Sequence, residues 1–178
     1  EVKKGFTLIE LMIVLAVISI LVTVAAPNVD SIRSDAYNRK IESNILMVKT
    51  FLEDRKFKDK NIIYQQHDKN GLALELVMDD VKTDVAEAMK GAFSGSRSLD
   101  NPFTGSKEIL YDNTESHPDG KGSIVVMHSV GTLPGDVNGI SMKSDGKKHP
   151  GNTMVVIYPD GYVVYGVGKD GNLISPSI

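Results

Sequence analysis

The sequence predicts an α+β chain: one long N-terminal helix, apolar in its first half and amphipathic in its second, packed on a C-terminal antiparallel β-sheet. Three observations predict it. An apolar run from Phe6 to Ala26 is interrupted by a single charge, Glu10. Beyond Pro27, apolar residues recur at helical spacing, at Tyr37, Ile41, Ile45, Val48 and Leu52. The C-terminal part then carries short β-branched and aromatic runs between turn-forming residues, and helix first with strands later is the order of an α+β domain.

The apolar run comes first. At ~1.5 Å per residue its helix is about 32 Å long, enough to cross the hydrocarbon core of a bilayer. A carboxylate near its start costs up to about 3 kcal/mol in lipid, less towards an interface, so Glu10 calls for a partner. A positive group on a neighbouring copy of the same helix fits its position. Pro27 lacks an N–H and crowds the preceding turn, which predicts a bend or loosening near Thr23. In the second half, Tyr37, Ile41, Ile45, Val48 and Leu52 gather on one face, while Arg39, Lys40, Glu42, Asn44, Lys49 and Glu53 are assigned to the other. The helix is expected to end between Lys56 and Asn61.

A second helix is predicted over Glu75 to Lys90, with Val77, Val81, Val85, Ala88 and Met89 on one side and Gly91 as its C-cap. Ser94 to Gly122 reads as loop, being dense in Gly, Ser, Asn, Asp and Pro. Strands follow at Ser123 to Val130, Thr153 to Tyr158 and Gly161 to Val167, with a short final strand after Lys169-Asp170-Gly171-Asn172. The last two long strands meet at Pro159-Asp160-Gly161, a hairpin turn in which Gly161 is a candidate for positive φ. Val163 and Tyr165 alternate with Tyr162 and Val164, so one set is expected to face the helix and the other solvent or a neighbouring subunit.

The stretch Lys3-Lys4-Gly5-Phe6-Thr7-Leu8-Ile9-Glu10-Leu11 resembles the class III signal of type IV prepilins and of type II secretion pseudopilins. The resemblance covers only the N-terminal part of the chain, but its residues stand in a specific register. It implies that a prepilin peptidase cuts between Gly5 and Phe6 and that Phe6 is then N-methylated. Glu10 matches the family's glutamate, which would neutralise the amino group of Phe6 on an adjacent subunit, and Pro27 matches its frequent helix-bending proline. The expected domains are then a leader remnant over 1–5, a transmembrane and filament-core helix over 6–27, and a globular pilin domain over 28–178. The antiparallel sheet on the amphipathic half-helix is also what the pilin fold implies.

Two blander readings compete for this segment. Lys3 and Lys4 with Val24-Ala25-Ala26 suggest a secretory signal peptide, but the run exceeds the usual ~7–15 apolar residues and contains Glu10. A plain single-span anchor leaves Glu10 without a purpose.

Composition bounds the remainder. The 178 residues hold 41% hydrophobic side chains, a net charge of −3 and no cysteine. One domain beyond the apolar run is expected, with a real core. There is no basic field suited to nucleic acid. Disulfides, thiolate metal sites and cysteine nucleophiles are excluded, so the C-terminal region is closed by strand pairing and turn hydrogen bonds rather than by the disulfide of many pilins.

Catalytic chemistry has little support. His67, His117, His128 and His149 are dispersed and fit no metal or nucleophile motif. Asp160, Asp170 and Asn172 offer oxygen ligands suited to Ca²⁺, yet Asp-Gly is equally a turn signal, and the latter reading is preferred. Lys143 to Lys148 reads as a solvated turn. No cofactor or catalysed reaction is expected.

The expected function is that of a structural subunit, a major pilin, which leaves the cytoplasmic membrane through an ATP-driven assembly machine and joins identical subunits in a helical filament on the bacterial surface. A type II secretion pseudopilin or a minor pilin is the alternative within the family, although 173 residues after removal of five from 178 is long for a major pseudopilin. From another class, the alternative is a membrane-tethered binding domain that never polymerises. Adhesion, motility, DNA uptake and secretion are not distinguished by the sequence.

Overall fold

A computed structural model describes residues 5–58, 74–111, 122–131, 134–135, 150–159 and 161–174, except for the side chains of 25–28, 56–58, 74–77 and 111. The elements, in order, are α1 (Leu8–Lys58), α2 (Leu74–Ala92), a 3-10 turn (Gly95–Arg97), and strands β1 (Glu108–Tyr111), β2 (Gly122–His128), β3 (Thr153–Tyr158), β4 (Gly161–Val167) and β5 (Leu173–Ile174). The chain forms two compact units, Glu1–Ala36 and Tyr37–Ile178.

The first unit is helical from Leu8, and every residue from Gly5 to Val24 is exposed. Two of its hydroxyls bond back within the helix: Ser19 Oγ donates to the Leu15 carbonyl at 2.7 Å and Thr23 Oγ1 to the Ser19 carbonyl at 2.8 Å. Such back-bonding lets hydroxyls sit on an apolar helix without an outside partner. The side chain of Pro27, where the bend is expected, lies outside those described.

In the second unit, the α1 face bearing Ile41, Ile45, Val48 and Leu52 is buried as its spacing predicts. It shares one core with Met78, Val81, Val85, Ala86 and Met89 of α2 and with Ile124, Val126, Val155, Ile157 and Val164 of the sheet. Tyr37 is half-buried, edge-on to Phe103 at 4.7 Å between centroids. Where α1 approaches β4 the sequence supplies Gly166, because a Cβ there would lie 2.1 Å from Ile41 Cγ2. Tyr162 Oη donates to the Glu53 carboxylate, joining the same helix to the same strand.

The α+β arrangement stands, but the sheet is mixed rather than antiparallel. Its order is β1-β2-β3-β4-β5. β3 pairs antiparallel with β4 and β4 with β5, while β1 and β2 pair parallel, as do β2 and β3. The difference lies in the connections. A tight turn obliges β3 and β4 to reverse, whereas residues 129–152 separate β2 from β3, long enough for a parallel return. β1 lies within the stretch expected to be loop, and β2 ends at His128, two residues short of Val130.

Further differences are local. Gly91 is not the C-cap of α2, since the helix runs through it to Ala92. The Phe93 amide still reaches the Met89 carbonyl at 2.8 Å, Ser94 Oγ caps the Gly91 carbonyl at 3.1 Å, and the positive φ appears later, at Gly95. Asn44, assigned to the polar face, is fully buried and donates to the Asp100 carbonyl at 3.0 Å. Ala88 is half-buried, and Ala86 takes the core position instead. Val77 and the turn residue Asp160 lie outside the described side chains and residues.

The second face of the sheet is the largest departure. Val163 and Tyr165 do not face solvent or await a neighbour. With Val125, Met154, Val156, Tyr158 and Val167 they form a second buried apolar cluster. Burial drives the Tyr165 phenol well above the ordinary tyrosine range, with the nearby Tyr158 adding to it. The register matches, with Val155 opposite Val164 on the helix side and Met154 opposite Tyr165 on the far side.

Asn101 ties the segment after α2 to the start of β2 and to the approach to β3. Its fully buried Nδ2 reaches the Gly122 carbonyl at 3.0 Å, the Pro150 carbonyl at 3.0 Å and Asn152 Oδ1 at 2.8 Å, while its Oδ1 accepts the Phe103 amide at 2.9 Å. Gly151, at φ 83, faces Asn101 where a Cβ would not fit, and its amide donates to the Val167 carbonyl at 2.7 Å.

Candidate functional site: the start of the N-terminal helix

Gly5, Phe6 and Thr7 precede the first helical residue, Leu8. A Cβ at Gly5 would meet nothing within 4 Å, so the chain's own packing does not demand glycine there. Phe6 is 82% exposed. Any requirement for these two residues therefore lies with whatever binds the segment.

Thr7 is the N-cap. Its carbonyl accepts from the Leu11 amide at 3.3 Å, and its Oγ1 accepts from the Glu10 amide at 3.3 Å. Glu10 closes the reciprocal half, its Oε2 accepting from the Thr7 amide at 2.8 Å. The Thr7 hydroxyl donates to the same Oε2 at 2.7 Å. This is a capping box, in which threonine and a glutamate three residues on satisfy each other's orphan amides. The carboxylate also lies in the first turn, at the positive end of the helix dipole.

Glu10 therefore has a partner within its own chain. The role of Thr7 is missed when the segment is read only as an apolar run, although the Thr-x-x-Glu spacing that marks a capping box is legible in the sequence. The remaining sequence candidates are dispersed. Asp170 is exposed in the turn between β4 and β5, beside Gly171 at φ 78. Asp160, His67, His117, His149 and Lys143 to Lys148 lie outside the described residues, as do Lys3 and Lys4. His128 is half-buried at the end of β2, its side chain enclosed, with Nδ1 4.0 Å from Asp79 Oδ1. Among the described residues no group of three or more His, Cys, Asp or Glu is placed to hold a metal ion.

Around and beyond the capping box the apolar side chains have no cover: Phe6, Leu8, Ile9, Leu11, Met12, Ile13 and those onward to Val24 are exposed. Among the described residues no single helix is long and apolar enough to cross a membrane. Leu8–Val24 and Val29–Arg55 meet that test together, as a bent pair.

Comparison with known proteins finds one family. The model of the prokaryotic N-terminal methylation motif matches residues 2–26. No curated protein and no solved structure matches the chain. The matched span begins before Gly5 and Phe6, contains the whole capping box and extends through the uncovered apolar run. At residues 2–26 this chain carries the class III, type IV pilin-like signal.

Proposed function

We propose that this chain is a structural subunit of a type IV pilus, a major pilin, which polymerises through its N-terminal helix into a cell-surface filament. The observation that carries the proposal is the conjunction of the matched motif with an apolar helix whose side chains are exposed from Phe6 to Val24. That motif marks pilin-like and pseudopilin-type substrates of prepilin peptidase, a structural family rather than an enzyme family. With the apolar helix it also points to membrane anchoring of the precursor.

The steps follow from the physics of that helix. In the bilayer its side chains meet lipid, and helix association there gains little from the hydrophobic effect. Once extracted by an ATP-driven machine, the same surface would face water, and neighbouring helices must cover it. Burial at ~25 cal/mol per Å² then favours a bundle. Contacts of one helix against the next are heterologous and need not close, which yields an open helical polymer. Cleavage between Gly5 and Phe6 would create an amino group, methylated on Phe6, and Glu10 of an adjacent subunit would neutralise it and set the axial register. Pro27 would absorb the bend between bundle and domain. The subunit itself performs no catalysis.

The test is the intact mass and N-terminal sequence of this protein from filaments sheared off the native cell. A dominant band starting at N-methylated Phe6 is expected. A start at or near Asn28 would establish ordinary signal-peptide cleavage. Absence from the sheared fraction, with the chain retained in membranes, would favour a tethered module. A trace amount in filaments built of another subunit would make it a minor pilin, and dependence on a secretion machine a pseudopilin.

A further inference from the structure

Asn44 interrupts the buried side of α1. It is fully buried, its Nδ2 donates to the Asp100 carbonyl at 3.0 Å, and among the described residues none donates to its Oδ1. A buried amide satisfied on one side only adds little to stability, since its other side has given up water for nothing. We infer that Asn44 is a register pin: it fixes how far along the domain α1 sits, because the carbonyl it needs lies at one height. The inference goes beyond the polymerising role proposed above and does not depend on it.

An apolar stripe is a weak guide to its own register. Ile41, Ile45, Val48 and Leu52 recur at spacings of three and four, so a slide of four residues, about 6 Å, sets one apolar side chain in the place of another. α1 runs antiparallel to β4, with Ile41 at Gly166 and Glu53 at Tyr162. A slide towards the turn after β4 brings Lys49 to the buried place of Ile45, and the cost of burying an ammonium opposes it. The opposite slide brings Tyr37, Ile41, Asn44 and Val48 to the places of Ile41, Ile45, Val48 and Leu52. Tyr37 then presses on Gly166, so shape resists. Asn44 adds a polar objection, because it enters the buried place of Val48 and leaves the Asp100 carbonyl behind. A single buried asparagine selects register in coiled coils in the same way, at some cost in stability. In a filament joined through the N-terminal helix, a pull reaches the domain along α1, and a fixed register keeps the domain from sliding on it. That consequence, unlike the pin, rests on the polymerising role.

The experiment measures one distance in the full chain held in detergent, where no filament is needed. The chain has no cysteine, so Leu46→Cys on α1 and Lys169→Cys in the turn after β4, both exposed positions, take two spin labels and no others. Double electron–electron resonance is expected to give a single distance in this otherwise wild-type chain. Asn44→Leu, which keeps the size and removes the amide, is expected to add a second population, longer by up to about 6 Å, the length of a four-residue slide. Ile45→Val thins the packing but leaves the pin, and is expected to keep the single distance. If the leucine variant does not fold, Asn44→Ala adds no bulk and carries the same expectation. A single, unchanged distance in the folded Asn44 variant would leave the register to Gly166 and overturn the inference. So would an equal splitting in Ile45→Val, which would assign the register to packing at large, or two distances with Asn44 in place.

Discussion

The first unit and the second use the same residue types at the same helical spacing and reach opposite outcomes. Ile9, Ile13 and Ile20 are exposed, whereas Ile41 and Ile45 are buried, all within one helical assignment from Leu8 to Lys58. The sequence around each set explains the contrast. Between Ile41 and Leu52 the polar residues Glu42, Ser43, Asn44, Lys49 and Thr50 interrupt the apolar ones, and the stripe of Ile41, Ile45, Val48 and Leu52 is covered by α2 and the sheet while Leu46 and Met47 stay exposed. Between Leu11 and Leu15 every residue is apolar, and no one face of a helix can bury them all. An all-apolar helix makes sense in lipid or among its own kind, and an amphipathic one against a domain.

The largest test of that contrast is to separate the two regions. A chain beginning after Asn28 is expected to be a soluble, monomeric, folded domain, since the Ile41, Ile45, Val48 and Leu52 face is covered by α2 and the sheet of the same unit. Sedimentation, near-ultraviolet dichroism and a cooperative urea transition would show it. Aggregation, or a spectrum lacking fixed tertiary packing, would mean that the domain takes part of its core from the removed residues.

The contrast sharpens at two glycines. Gly166 lies under α1, where a Cβ would meet Ile41 Cγ2 at 2.1 Å and Ile45 Cδ1 at 3.1 Å, both on a packed helix. Gly166→Val is expected to destabilise the isolated domain by about 3 kcal/mol or more, by overpacking. Gly5 has open space around it, so Gly5→Val leaves the fold and its denaturation midpoint unchanged. The expected loss at Gly5 is instead processing, with precursor accumulating in the membrane. Were Gly166→Val tolerated and Gly5→Val destabilising, the assignment of one glycine to packing and the other to a partner would be reversed.

How much of this was legible from the sequence follows the range of the interactions involved. The buried stripe of α1, the bounds of β3 and β4 and the motif around Glu10 are written in local spacing, and local spacing suffices to read them. Thr7 was equally local, its offset from Glu10 being a known cap signature. β1 was hidden because Glu108 to Tyr111 is only four residues long and owes its place to β2 and α2 rather than to its own pattern. Asn44 and Asn101 look like surface residues until their partners, Asp100 and Asn152 among them, are brought in by the fold. The far face of the sheet lay between these cases. Ile124 to Met127 and Met154 to Tyr158 are continuous apolar runs, the mark of strands buried on both faces, but the alternation in β4 suggested a one-sided sheet.

The smallest expected effect concerns a place where α1 meets a loop through charge instead of packing. Lys40 Nζ lies 3.0 Å from Asp100 Oδ1, with both side chains about two-fifths exposed. The hydrogen bond from Lys40, with its charge and that of Lys107 adding to it against partial burial, holds the Asp100 carboxyl below the ordinary aspartate value of 3.8. A depressed folded pKa means that the contribution is complete above the unfolded value and is lost as pH falls through the folded one. Solvent screening keeps it small, no more than ~1 kcal/mol. Asp100→Asn in the soluble domain is therefore expected to lower urea stability slightly at neutral pH and not at all once the pH is well below 3.8, where the wild-type carboxyl is itself neutral. The Asp100 backbone carbonyl still receives Asn44 in the variant, so that contact cancels from the comparison. A deficit that persists unchanged in acid would show that the side chain's shape and hydrogen bonding, rather than its charge, tie the loop to the helix.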